Sequence, residues 1–253
     1  MPSLDQYPAN SKVTMLVAAD SGAGKTGSLA SLVDAGFELG ILDLEGKLKP
    51  LTEHVKDKPK LANVQFRTFQ DRYKIQGRSV VTADAPSFQG AMGMLTAWDE
   101  WGPIEQWPKE RILVIDSLSR LGRASLNMVL AANGNPVRVE IQHYGTAMEN
   151  IERLLGNLTS PAMVPCHVIV LTHLTLAESE TGVTKIYPEA LGTKLNPKVG
   201  RYFDNMITIN NKSTGRVIKT HSDGLFLCKT AKPIKPEYPI ETGMADIFRD
   251  LLA

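Results

Sequence analysis

The sequence is short of most features that would assign a function at once. Only two of its 253 residues are cysteine, Cys166 and Cys228. That is too few for a disulfide framework, and both lie in apolar runs, so they read as small buried hydrophobes in a reducing compartment. Charge of one sign is also missing. The net charge is +1, which excludes a whole-molecule field directed at nucleic acid and leaves only a local patch for that purpose. No run approaches the ~18 apolar residues of a membrane span. The opening stretch MPSLDQYPANSK lacks the apolar centre of a secretory signal. The expectation is therefore a cytoplasmic protein with no membrane partner. Repeats and low-complexity segments are absent too. What is present is ordinary for a globular protein, 43% hydrophobic and 22% charged residues. The length suits one α/β domain over 1–253, with a small second one just possible.

Apolar runs followed by helical stretches set the expected order. Residues 13–18, VTMLVA, predict a buried strand, followed by a loop and a helix over 26–35 that Gly36 stops. Strands are predicted at 38–44, 63–69, 111–116 and 167–173, with helices at 87–101, 118–132, 139–156 and 243–252. Three late segments, 205–211, 215–221 and 225–230, predict strands joined by tight glycine-containing turns. Alternating strands and helices imply a mostly parallel central sheet flanked by helices, with an antiparallel C-terminal edge. Residues 46–60, 70–86 and 175–204 read as loops.

The stretch ADSGAGKTG at 19–27 carries two nucleotide fingerprints. From Gly22 it spells the Gly-x-Gly-x-x-Gly of a dinucleotide turn, and Asp43 and Glu45 lie near where a ribose-binding acid belongs. From Ala19 it spells a phosphate-binding loop whose first glycine is alanine, ending in Gly24-Lys25-Thr26. A dinucleotide turn begins almost directly after its strand, whereas here Ala19, Asp20 and Ser21 intervene. It also has no use for the lysine or the threonine. A P-loop needs both: the ammonium reaches β- and γ-phosphates and the hydroxyl ligates Mg²⁺. Asp116, closing the strand RILVID, supplies the acid expected on the Mg²⁺ side. The P-loop reading is preferred, with Ala19, Asp20, Ser21, Gly22, Ala23, Gly24, Lys25, Thr26 and Gly27 holding ATP, and Thr26 and Asp116 serving Mg²⁺.

With those residues in place the chain resembles the RecA-like P-loop ATPases from about residue 12 to 250, and most of all the small single-domain forms of phage genomes, some of them single-strand annealing or recombination proteins. The resemblance implies a water-positioning glutamate at Glu45 in ILDLEGKLKP and a γ-phosphate sensor at His173 in HVIVLTHL. It also implies that Lys229 and Lys232, in LFLCKTAKPIKP, act on a neighbour's nucleotide. Asp43, two residues before Glu45, is the competing acid and is read as a structural acceptor.

The partners implied are single-stranded DNA, further copies of the chain in a ring or filament, and a single-strand-binding protein; a phage origin would place it in the host cytoplasm. DNA contacts are sought in two polar loops. One offers Arg120, Arg123, Arg138 and Tyr144, and the other Lys185, Tyr187, Lys194, Lys198 and Arg201, against the acidic ESE at 178–180. Trp98, Trp101, Trp107 and the methionines of 91–97 read as packing residues. Two alternatives stay open: an ATP-switched DNA- or protein-binding module without turnover, and a P-loop kinase, against which stands the lack of an arginine-rich lid.

Overall fold

The computed structural model describes residues 12–135, 138–178, 184–213, 215–222, 224 and 226–253. In chain order the elements are β1 (Thr14–Ala18), α1 (Lys25–Ser28), α2 (Ala30–Asp34), β2 (Leu39–Asp43), α3 (Lys49–His54), β3 (Val64–Thr68), β4 (Arg72–Gln76), β5 (Ser79–Asp84), α4 (Ser87–Thr96), β6 (Ile112–Asp116), α5 (Leu118–Ala132), α6 (Ile141–Thr159), β7 (His167–Thr172), β8 (Leu174–Glu178), β9 (Thr184–Pro188), α7 (Gly192–Leu195), β10 (Asn205–Lys212), β11 (Gly215–Lys219), β12 (Glu237–Pro239) and α8 (Gly243–Leu252).

Eight strands form the main sheet in the order β12-β11-β10-β1-β7-β6-β2-β3. Every pair from β10 to β3 is parallel, and β11 and β12 extend the other edge antiparallel. The α/β architecture is the one expected. The continuous apolar runs follow from it, because the sheet is covered on both faces. Leu16, Ala18, Leu113, Ile115, Val168 and Val170 enter one buried cluster with α5 and α6. Their alternates Met15, Val17, Ile112, Val114, Ile169 and Leu171 enter the other, with α2 and α8.

Several local expectations need correction. The helix expected over 26–35 is two short helices separated by Leu29. The helix expected over 87–101 ends at Thr96, and Trp98 then turns inward beside Trp107, the ring centroids 5.1 Å apart. Segment 225–230 forms no strand among its described residues. Only Lys229 makes a bridge, to Met206, while the Ser222 hydroxyl holds the backbone of Cys228 in a bend. The place beside β11 is taken by β12, whose buried Tyr238 donates its phenol to Asp250 on α8. Of the stretches read as loops, 46–60 contains α3, 70–86 the β4–β5 hairpin and 175–204 most of the β8–β9 hairpin and α7. Cys166 is buried as expected, whereas Cys228 is only half-buried.

One packing detail ties a helix to a strand end. A Cβ on Gly122 in α5 would lie 2.4 Å from the carbonyl oxygen of Ala190, so helix and backbone touch with no side chain between them.

The start of the central strand is fixed by a buried histidine. His167 is 2% exposed and its Nδ1 accepts a hydrogen bond from the Val13 amide at 3.0 Å. Burial pushes its pKa down from 6.5 to about 4. The unfolded chain therefore binds the proton more readily. The neutral ring's contribution is complete above pH 6.5 and is lost as pH falls through about 4, on the order of 3 kcal/mol in all. Urea unfolding is expected to lose more stability between pH 7 and pH 4.5 in the wild type than in His167→Gln, and parallel losses would remove His167 from the acid response.

Candidate functional site

Register brings the ends of four neighbouring strands together on one edge of the sheet. Ala18 pairs with Thr172, Asp43 with Asp116, and Asp116 with Leu171. All are at or near the carboxyl ends of parallel strands, where open α/β sheets bind their ligands.

The loop after β1 is built on two left-handed glycines, Gly22 at φ 75° and Gly24 at φ 105°. That conformation favours glycine and lets the loop curl back on itself, the Ala23 amide donating to the Asp20 carbonyl at 3.2 Å. Among the described residues the non-glycines with positive φ are Asp99 and Asn135, so Ala19 stands in for glycine without strain. Gly27, the third glycine of the rejected fingerprint, has a different duty. A Cβ there would lie 2.8 Å from the ring of His54 on α3.

Lys25 is 7% exposed, and its ammonium donates to the carbonyls of Ala19 at 2.8 Å and Asp20 at 3.0 Å. Burial lowers its pKa, opposed by the charges of Asp116, Glu45 and Asp20. The ammonium also lies 3.3 Å from Nδ1 of His173, whose Nε2 lies 3.3 Å from Oε1 of Glu45. An ammonium can only donate and a carboxylate can only accept, so the histidine between them carries its proton on Nε2. Lys25, His173 and Glu45 form one hydrogen-bonded chain. The His173 amide is held in turn by the Ser119 hydroxyl at 3.2 Å.

Glu45 lies just past the end of β2, so the two-residue spacing from Asp43 does not put the two acids on one strand face. It accepts from the Ser117 hydroxyl at 2.6 Å and from Arg120 Nε at 3.4 Å. The bond from His173 first, then those from Ser117 and Arg120, hold its carboxyl at about 2 against the opposing effect of burial. Asp43 faces elsewhere. It accepts from the amides of Glu45 and Gly46 and from the Thr68 hydroxyl, a structural clasp for the turn that carries Glu45.

Thr26 donates to Oδ2 of Asp116 at 2.7 Å. Asp116 is 3% exposed, and burial raises its pKa to about 6, with Asp43 and Glu45 adding to the effect and Thr26 and Lys25 opposing it. A hydroxyl and a carboxylate of this kind fit Mg²⁺, which keeps several waters and takes remaining oxygens from phosphates. A cation there would also offset the burial that disfavours the charged carboxyl.

Sequence reasoning missed Arg216. From β11 its side chain reaches the glycine loop, with Nη1 3.3 Å from where a Cβ on Gly24 would stand, beside Ile240. The antiparallel pairing of β11 with β10 carries it there, and nothing local to the motif signals it.

The lysine pair sits away from this cluster within one chain. Lys229 bridges Met206, which is level with Leu16 rather than with the loop, and Lys232 follows three residues later. The DNA candidates scatter as well. Arg120 and Arg123 start α5 beside Glu45, but Arg138 follows the other end of that 15-residue helix, which is about 22 Å long at ~1.5 Å per residue. Arg201 pairs with Glu152 on α6 at 2.8 Å. Lys185 and Tyr187 are on β9, Lys194 on α7 and Lys198 on the following 3-10 helix, and Tyr144 packs half-buried beside Gly192. Residues 136–137 of the first loop and 179–183 of the second, including most of ESE, lie outside the described residues.

Residues 11–230 match the model of a family described as AAA domain. Similar solved structures include a prototypical ATPase from the type III secretion system of pathogenic bacteria, at 15% identity over 78% of this chain and 52% of that one, with a TM-score of 0.48. The assembled ATPase EscN of enteropathogenic E. coli, in complex with its central stalk EscO, is similar at 16% identity over 79% and 42%, TM-score 0.46. An ATP synthase subunit, NeqB, from Nanoarcheaum equitans is similar at 8% identity over 93% and 54%, TM-score 0.46. This chain thus spans about half the length of those proteins. No curated protein matches it.

Proposed function

This chain belongs to the AAA domain family, and on that footing we propose that it binds Mg-ATP in the loop at 19–27 and hydrolyses it, assembling on single-stranded DNA. The observation that carries the reading is the chain of contacts from Lys25 through His173 to Glu45, set beside the Thr26–Asp116 pair.

Water attack on a γ-phosphate needs charge neutralisation, an aligned nucleophile and little covalent help. Lys25 exchanges its bonds to the Ala19 and Asp20 carbonyls for phosphate oxygens when ATP enters. Thr26 and Asp116 would hold Mg²⁺, which would supply further neutralisation when bound. Glu45 orients the water. A carboxyl held at about 2 is a weak base, and that suits a loose transition state in which the water's proton leaves late. His173, touching both Lys25 and Glu45, reports whether the phosphate is present. Lys229 and Lys232 act across a subunit boundary, so turnover depends on assembly. Lysine lacks the fork of arginine, and basal turnover is correspondingly modest.

The test is ATP hydrolysis with and without single-stranded DNA over a range of protein concentrations. The expected result is a rate per subunit that rises with both. ATP binding with background turnover throughout would favour the second reading, a nucleotide-switched module. The ties of Glu45 to Ser117, His173 and Arg120 speak for that reading. Absence of nucleotide binding would overturn both.

A further inference from the structure

Next to Glu45 a cavity of about 220 Å³ opens that hydrolysis itself does not require. Its walls come from the turn after β2, Glu45 included, from the segment joining β3 to β4 and the start of β4, from the first residue of α4 and from the first turns of α5. Phe69 and Tyr73 contribute aromatic surface, and Arg120 and Arg123 contribute charge.

Ser87, also in the wall, is 3% exposed, and its hydroxyl is the one buried side-chain polar atom among the described residues with no hydrogen-bond partner. Buried hydroxyls are nearly always paired, so an orphan in a cavity wall marks a place for a ligand's polar atom. Two acids share the wall, Glu45 and Asp71, and both already have partners, Glu45 in Ser117, His173 and Arg120. Asp71 accepts from the Ser87 amide at 3.0 Å and from Asn127 at 2.8 Å, and Asn127 also donates to the Tyr73 phenol at 2.9 Å. The two arginines are exposed, and among the described residues only Arg120 of the two has an acidic partner. Its bond to Glu45 is 3.4 Å long, with the arginine side chain 61% exposed. So long and solvated a contact is readily exchanged.

We propose that this cavity takes one nucleotide, free or within a single strand, with its phosphate on Arg120 and Arg123 and its base against Phe69 and Tyr73, and that seating the phosphate draws Arg120 away from Glu45. Arginine's planar fork matches a phosphate, and aromatic faces accept any base. The regulatory half rests on the reading of Glu45 as the residue that orients water. Released from Arg120, Glu45 keeps Ser117 and His173 on Oε1 while Oε2 is freed to accept from the attacking water, so occupancy of the cavity accelerates hydrolysis.

Binding of labelled oligothymidylate by fluorescence anisotropy, and of thymidine monophosphate by calorimetry, identifies which form of the nucleotide is taken. Arg123→Ala and Ser87→Ala are each expected to weaken the bound form about tenfold, with folding checked by circular dichroism. Wild-type affinity in both variants, or no binding of either ligand to the wild-type chain, overturns the site. This arm reads the cavity whether or not ATP turns over, so it is separable from the ATPase reading, which DNA-free hydrolysis tests on the same samples. Arg120→Ala is expected to raise that DNA-free rate and to bring the ratio of stimulated to unstimulated rates to about one. An unchanged ratio overturns the link to Glu45.

Discussion

Glu45→Gln is expected to lower the ATP hydrolysis rate by about 10²–10⁴-fold, the range lost when a positioned acid–base group is removed, while ATP affinity stays within a few-fold of wild type. Glutamine has nearly the same shape and still accepts from the Ser117 hydroxyl, which lies 2.6 Å from the carboxylate. What it loses is the charge that polarises water. The turn itself survives, because it is clasped by Asp43 through the amides of Glu45 and Gly46. Steady-state hydrolysis paired with equilibrium binding of a fluorescent ATP analogue makes the measurement, and an unchanged rate would take Glu45 out of the mechanism. Asp43→Asn serves as the contrast. It should loosen the clasp and lower thermal stability, and a variant that stays stable but stops hydrolysing would reassign the role to Asp43.

The second large effect is on binding. Lys25→Ala is expected to raise the dissociation constant for Mg-ATP by about 10²-fold, roughly 3 kcal/mol, as charged hydrogen bonds to phosphate are lost. The nucleotide-free fold should be little affected. Burial already depresses the Lys25 pKa, so removing the ammonium relieves a desolvation cost while sacrificing its bonds to the Ala19 and Asp20 carbonyls. Thermal unfolding with and without Mg-ATP separates the two states. The wild type gains stability as the logarithm of one plus the ratio of ligand concentration to dissociation constant, whereas Lys25→Ala gains almost none at the same concentration. A ligand-induced shift equal to that of wild type would mean that the nucleotide binds elsewhere.

What could be read in advance was the part of the molecule governed by local rules. Strands such as 111–116 and 167–173 are continuously apolar between their ends, at 112–115 and 168–171, because both faces are buried, and a strand-end acid such as Asp116 follows from where such sheets bind ligands. Residues 19–27 carry chemistry at fixed spacing. The remainder depends on contacts that leave no local trace. Strand β4 is exposed along its whole length, so it has no buried face to produce an alternating pattern, and its hairpin looked like a loop. Arg216 reaches Gly24 from almost two hundred residues away in sequence, across a strand turn. Ser87 looks like an ordinary residue at a helix start, and only the three-dimensional wall around it shows a hydroxyl without a partner. The segment 225–230 is apolar enough for a strand, but Tyr238 and its bond to Asp250 won the place beside β11 for β12.

The contact between Gly122 and the Ala190 carbonyl has a mechanical consequence. The neighbouring residue Glu189 is bonded through its amide to the His173 carbonyl at 2.8 Å, and its own carbonyl accepts from Ser119, at the start of the same helix as Gly122. Backbone resting on backbone has no rotamers to absorb a displacement. The base of the β8–β9 hairpin, α5 and the histidine beside Glu45 are therefore joined main chain to main chain. A displacement of the hairpin base is expected to carry His173 with it, a coupling that side-chain packing alone would cushion.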